Sequence, residues 1–242
     1  MGKILVVSDI HGNLSALEAV LEAESLEGLE GIILLGDVID YGPRSNEVIH
    51  RIKELPDHKI LVNLWGNHEA AVCKKDYRRF SSERGKQSAA ITGRELTWES
   101  VEYLDRMERS GKQEIVINGY ECLAVHGSLG DYFWGSINHR EEAEEYAVYD
   151  IVFSGHSHIP HFFCHYYPSV CPEFRNKKRT IFINPGSVGQ PRNHNPNAHY
   201  ATIEMETLSV CLKSVCYDID YEMSLFTDEK DIFYKERLKR GV

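Results

Sequence analysis

An α/β fold is expected from three observations in this 242-residue chain. Apolar runs rich in β-branched residues recur at positions 4–7, 31–35 and 59–64. Leu14, Leu17 and Leu21 fall at helical spacing between the first two runs, and a second helical stretch at 46–55 joins the second to the third. The runs are apolar throughout and do not alternate, as strands of a parallel sheet covered on both faces do. A hydrophobic content of 42% suffices for a sizeable core, and the length suits one compact domain over residues 1–242.

The remaining elements follow in order. Residues 74–112 turn charged and Arg-rich, with helix-forming stretches such as 98–107, and are expected to be a helical insertion beside the site. Strand character returns at 114–117 and 121–125 around Asn118-Gly119, a dipeptide suited to the positive φ angles of a tight hairpin. Further strands are expected at 151–153, 180–183, 200–204 and 209–217, the last at a sheet margin, while 161–178 reads as a loop. A final helix is expected to start near Thr227 and to end at Lys239-Arg240, where positive charge suits a helix carboxyl end.

The bulk numbers exclude several classes. A net charge of −10 opposes general nucleic-acid binding, which requires cationic side chains to neutralise phosphates. The N-terminal apolar run is too short for a signal-peptide core, and no stretch approaches a membrane span. The six cysteines form no C-x-x-C pair. A cytoplasmic protein with reduced cysteines is therefore expected, with Cys164 and Cys171 the one pair whose loop context admits an exception.

Polar clusters recur directly after the expected strands. Ser8-Asp9-Ile10-His11-Gly12-Asn13, Gly36-Asp37-Val38-Ile39-Asp40 and Gly66-Asn67-His68-Glu69 follow the first three, and His126-Gly127-Ser128, Gly155-His156-Ser157-His158 and Asn184-Pro185-Gly186-Ser187 follow later ones. Ligands of open α/β sheets bind at the carboxyl ends of strands, so these clusters are expected to share one crevice. Its contents would be the carboxylates of Asp9 and Asp37, the amide of Asn67 and the imidazoles of His11, His126, His156 and His158. Carboxylates packed together repel unless cations neutralise them. Mixed Asp and His ligands suit Mn, Fe, Zn or Ni, manganese first among them, and seven ligands suit two ions sharing a bridging carboxylate. In Asp9-x-His11 and His156-x-His158, residues two apart project to one side if the chain there is extended.

The ordered motifs D-x-H, G-D-x-x-D, G-N-H-E, an isolated His and G-H-x-H resemble those of the calcineurin-like metallophosphoesterase superfamily. The run from Asn184 to Arg192 resembles its small prokaryotic phosphodiesterase branch. The resemblance implies a four-layer α-β-β-α sandwich of two mixed sheets flanked by helices. It implies one ion on Asp9, His11, Asp37 and His158, and a second on Asp37, Asn67, His126 and His156. Two ions so held would be expected to lie about 3.5–4 Å apart and to activate a water between them for in-line attack on a phosphorus. His68 is then expected to protonate the leaving oxygen or to stabilise its charge, Asp40 to orient the His68 ring and Arg192 to clamp the phosphate, with Arg44 a second candidate and Asn67 also near the substrate.

Hydrolysis of a phosphodiester, the substrate including nucleotides, is the leading expectation; phosphoprotein or dinucleoside polyphosphate hydrolysis uses the same metals with different pocket walls. A catalytically silent scaffold of the same fold would lack ligands or the histidine acid, and here every position is filled. Other features have plain structural explanations. Asn13 is expected to cap the first helix, and the acidic run 141–145 to be a solvated helix face. Tyr132, Phe133 and Trp134 stand equally for a pocket wall or a core edge.

Overall fold

The computed structural model describes residues 2–139, 144–168, 170 and 178–242. Two mixed five-stranded sheets lie face to face, flanked by helices. In the first sheet β1 (Lys3–Val7), β2 (Leu29–Leu34) and β3 (Ile60–Asn63) run parallel, and β9 (Ala198–Glu204) and β10 (Ser209–Val215) extend it antiparallel in the order β10-β9-β1-β2-β3. The second sheet contains β4 (Lys112–Ile117), β5 (Tyr120–Val125), β6 (Ile151–Ser154), β7 (His161–Tyr166) and β8 (Arg179–Asn184), in the order β4-β5-β6-β8-β7.

The period of two along each strand builds the layers. Ile4 and Val6 of β1 and Ile33 of β2 face Ala124, Phe153 and Ile183 of the second sheet, forming the core between the sheets. Leu5, Val7, Ile32 and Leu34 face the other way. They meet Leu17, Val20 and Leu21 of α1 (Leu14–Ala23) and Val48, Ile49 and Ile52 of α2 (Ser45–Lys53). Strands buried on both faces cannot alternate, which is why β1 and β2 read as continuous apolar runs, while β3, at the sheet edge, is only partly buried. The outer face of the second sheet, with Leu123, Val152 and Phe182, is covered by Ile137 and Tyr146.

The expected insertion carries α4 (Glu83–Glu95) and α5 (Trp98–Arg106), capped by Ser82 and Thr97, and follows α3 (Asn67–Lys74). The hairpin dipeptide behaves as expected, with φ of 50° at Asn118 and 84° at Gly119.

Two expectations are corrected and one further element is added. Residues 161–166 form a strand, β7, rather than part of a loop. It is an edge strand half-buried along its length, so no contrast between its faces marks its sequence. The last helix, α7 (Ile232–Arg240), starts later than Thr227, because Asp231 caps it by accepting from Phe233 N at 2.8 Å. A short helix, α6 (Ile219–Ser224), precedes it, capped by Asp218 and tied to α2 through the ion pair of Glu222 with Arg44. The expectation for 141–145 falls mostly, and the one for Cys171 wholly, outside the described residues. Among the described residues no helix is long and apolar enough to cross a membrane.

Candidate metal centre

The loops at the carboxyl ends of β1, β2, β5, β6 and β8 and the start of α3 meet at one place. Backbone hydrogen bonds stitch them together: Asp9 N to Gly36 O at 3.0 Å, His11 N to Asp37 O at 2.9 Å, Gly155 N to His126 O at 2.9 Å and Val188 N to Ser8 O at 3.0 Å. The chain at these residues is not extended, so strand pleating does not bring the side chains two apart to one side. Asp9, His11, Asp37, His156 and His158 have φ between 49° and 61°. Left-handed turns rather than strand pleating aim these side chains inward, at about 1 kcal/mol or more of backbone strain each.

The ligand atoms of Asp9, His11, Asp37 and His158 lie within 4.8 Å of one another, and so do those of Asp37, His126 and His156. Asp37 belongs to both groups. The ring tautomers follow from their outer partners. His11 Nδ1 faces Ile39 O at 3.1 Å, His126 Nδ1 faces Leu35 O at 2.7 Å and His158 Nδ1 faces Gln190 O at 2.6 Å. A carbonyl only accepts, so each Nδ1 donates and each neutral ring turns an Nε2 lone pair inward. There acceptor meets acceptor. His11 Nε2 lies 3.2 Å from His158 Nε2, which lies 3.2 Å from Asp9 Oδ1; His126 Nε2 lies 3.4 Å from Asp37 Oδ2 and 3.0 Å from Asn67 Oδ1. His156 Nδ1 approaches the same Asn67 oxygen at 2.9 Å. Among the described residues Asp9 Oδ1 and Asp37 Oδ2 are buried with no hydrogen-bond donor. This is an Asp/His cluster able to bind metal.

The electrostatics agree for three of the four imidazoles. Burial, reinforced by neighbouring imidazoles, holds His156 down at about 3 and pushes His11 well below its ordinary value, so both remain neutral electron-pair donors. Burial and the nearby Arg192 lower His158 likewise. Burial works against charge on His126 as well, but Asp37 outweighs it and lifts this ring to about 9. A field that favours a proton at this nitrogen favours a metal cation there too. Burial opposes the ionisation of Asp9 and Asp37, yet the facing imidazoles keep both below the usual carboxylate range.

His68 stands beside the cluster on the first turn of α3. Its Nδ1 donates to Asp40 Oδ2 at 2.6 Å, leaving Nε2 for the cleft. The other oxygen of Asp40 accepts from Tyr41 N at 2.7 Å, Ser88 Oγ at 2.6 Å and Thr92 Oγ1 at 2.9 Å. The cleft, of about 220 Å³, has Asp37, Asn67, His68, His156 and His158 on its floor and Tyr41, Arg79, Phe80, Trp134 and Arg192 around it.

A family model described as the calcineurin-like phosphoesterase superfamily domain matches residues 2–208. The chain belongs to this superfamily. An uncharacterized protein of Methanocaldococcus jannaschii is 30% identical over 223 residues, 89% of this chain and 88% of the relative. The phosphodiesterase YfcE of Escherichia coli K12 is 26% identical over 220 residues, 87% of this chain and 91% of its own. Among solved structures, a metallophosphoesterase from Sphaerobacter thermophilus superposes with a TM-score of 0.78 at 27% identity, covering 100% of this chain and 99% of that one.

Within this calcineurin-like phosphoesterase the structure brings together Asp9, His11, Asp37, Asn67, His126, His156 and His158, with His68, Asp40 and Arg192 at the same cleft. Arg44 is elsewhere: its guanidinium pairs with the fully buried Glu222 and donates to Ser15 Oγ at 2.7 Å. Trp134 lines the cleft, while Tyr132 and Phe133 pack against the two outer cores. Asn13 caps α1, its Oδ1 accepting from Ala16 N at 3.0 Å.

Sequence reasoning missed Glu69. Its carboxylate is fully buried and accepts from the backbone N–H groups of Gly66, Asp37, Val38 and Ile39 at 2.7–3.2 Å, binding the loop after β2 to the start of α3. Burial, with Asp37 nearby, lifts it to about 7. Four backbone donors leave no trace in a sequence. Tyr41, Phe80 and Arg79 were also missed, since only tertiary packing brings them to the cleft.

Proposed function

We propose that this phosphoesterase hydrolyses phosphodiester bonds with two divalent cations, manganese first among the candidates. The observation that carries the reading is the acceptor-only cluster, split in two with Asp37 common to both halves, beside a histidine fixed by a carboxylate. Asp9, His11, Asp37 and His158 would hold one cation, and Asp37, Asn67, His126 and His156 the other. Bound there, the cations supply Lewis acidity for the phosphate oxygens and lower the pKa of the attacking water.

The side chains do the rest. Arg192, at the edge of the cleft, offers paired donors to non-bridging phosphate oxygens and holds the phosphorus in line for attack. Asp40 accepts from His68 Nδ1 and so directs Nε2 at the departing oxygen, which takes its proton as the ester bond breaks. Phe80, its ring 5.0 Å from that of His68, and Trp134, 5.2 Å further on, wall the cleft on the departing group's side. A diester keeps one arm on that wall. The match to a named phosphodiesterase along 87% of this chain favours the same bond.

The test is turnover by metal-stripped protein reloaded with Mn²⁺, compared on an aryl phosphodiester, the matching monoester, a dinucleoside polyphosphate and a phosphopeptide. The diester is expected to have the largest kcat/KM, and no turnover is expected without metal. Activity on none of them across Mn²⁺, Fe²⁺, Zn²⁺ and Ni²⁺ would defeat the proposal. A preference for the dinucleotide or the phosphopeptide would move the substrate class and keep the metals.

A further inference from the structure

Lys230 lies beyond residues 2–208 and is 7% exposed, a rare situation for a lysine. Its ammonium pairs with Glu95 Oε2 at 2.8 Å and donates to Thr92 Oγ1 at 3.3 Å, both on α4. An ammonium has no lone pair to offer, so Thr92 accepts from Lys230, and its single hydroxyl proton is turned to Asp40 Oδ1, 2.9 Å away. Ser88 Oγ and Tyr41 N complete the donors on that oxygen. With Oδ1 saturated, Oδ2 is left to His68 Nδ1. A directed chain thus runs from the C-terminal segment through Thr92 and Asp40 to the ring in the cleft. The same segment touches the site a second time, where the Tyr234 ring stacks on Tyr41 at 4.3 Å and Tyr41 packs against His68 at 4.5 Å. A buried charge is costly, and an apolar side chain would fill the same space at less cost. What the apolar side chain lacks is the proton donor.

We infer that Lys230 is a positioning residue for hydrolysis, fixing the Thr92 hydroxyl so that Asp40 holds His68 Nε2 at the departing oxygen. The inference rests on the reading of His68 as the leaving-group acid. Protonation matters most when the departing oxygen is strongly basic, which gives a readout that mere loosening of the fold would not produce.

The experiment measures kcat and KM of the full-length, Mn²⁺-loaded protein on methyl aryl phosphodiesters whose phenols increase in basicity. His68→Ala is expected to slow the most basic leaving group far more than 4-nitrophenolate. Lys230→Met is expected to follow the same slope more weakly, on the order of tenfold in kcat at the basic end, with KM unchanged. The double variant is expected to be no slower than His68→Ala alone, since two links of one chain are not additive. Thr92→Val removes the same link without altering the buried charge, and carries the test if Lys230→Met does not fold. A Lys230→Met loss equal across the series, or one that multiplies with His68→Ala, overturns the inference while the acid role stands. A flat series for His68→Ala removes that acid role and the inference with it.

Discussion

The two oxygens of Asp37 have separate tasks. Oδ1 accepts from His68 N at 2.8 Å, anchoring the first turn of α3, while Oδ2 is turned among the imidazoles of His11, His68 and His126 at 3.4–3.9 Å. The division depends on Glu69, whose carboxylate gathers the backbone around Asp37 from beneath. Glu69→Gln keeps the shape but puts an amide N–H donor where an acceptor stood, facing backbone N–H groups that remain buried. We expect a loss of about 2–3 kcal/mol, read by denaturant unfolding at neutral pH, with metal affinity about 10–100-fold weaker by titration. Unchanged metal affinity would mean that Glu69 supports the loops without setting the position of Asp37.

The proposed ligands hang on turns, and the turns are set by where strands stop. β1 and β2 end side by side, with Leu35 N donating to Val7 O at 3.0 Å, so the two following loops leave the sheet together. Gly36, at φ 93°, lies against the backbone of Gly66, and a Cβ on either residue would collide across that contact or with Asp37. Gly36→Ala is expected to lower stability by about 2 kcal/mol or more and to reduce turnover, because the displaced Gly66 leads directly into Asn67 and His68. Thermal unfolding and kcat measured on one preparation would check both; a fully active, destabilised variant would separate the turn from the site. The parallel strands and the polar clusters after them were legible in the sequence because burial on both faces leaves an unbroken apolar signature. That these residues meet in one cluster was legible because D-x-H, G-N-H and G-H-x-H sit where those strands end. Their route inward was not, since left-handed φ at Asp9, His11, His156 and His158 comes from loop-to-loop hydrogen bonding. Nor was β7, whose edge position removes the contrast between faces, or α6, a short helix tied down by a distant ion pair.

Away from the cleft, one charged cluster ties the ends of the first sheet to the helical layer. Glu24, just past α1, accepts from Lys3 Nζ at 2.5 Å, from Lys213 Nζ at 2.6 Å and from Tyr200 Oη at 3.1 Å, joining β1, β9 and β10. Burial opposes its ionisation, but the two lysines outweigh burial and hold Glu24 below its ordinary 4.5. A carboxylate acidified by folding stabilises the native state above its unfolded pKa, and loses that contribution as pH falls through the folded value. Glu24→Gln is therefore expected to cost about 1 kcal/mol at pH 7, the partly exposed lysines screening the rest. The gap from the unsubstituted protein should narrow as pH falls below 4.5 and close once it has passed through the lowered folded value. A gap that persists in acid would assign the effect to packing instead of charge.

The seven proposed ligands are divided between the sheets: Asp9, His11, Asp37 and Asn67 follow strands of the first, and His126, His156 and His158 follow strands of the second. Any cation held by both sets would be a rivet through the sandwich, gripping two layers whose facing sides meet through apolar side chains and whose loops at this end share hydrogen bonds. Resistance to heat then becomes a gauge of free metal. At a concentration 100 times the dissociation constant the rivet adds about 2.7 kcal/mol, enough to raise the melting temperature by several degrees, and a chelator takes it away. Calorimetry across a manganese titration would show the melting point climbing with the logarithm of metal, and a melting point indifferent to metal would mean that the sheets hold together without it. Removing the ion would then be expected to lower the melting point as well as to abolish turnover.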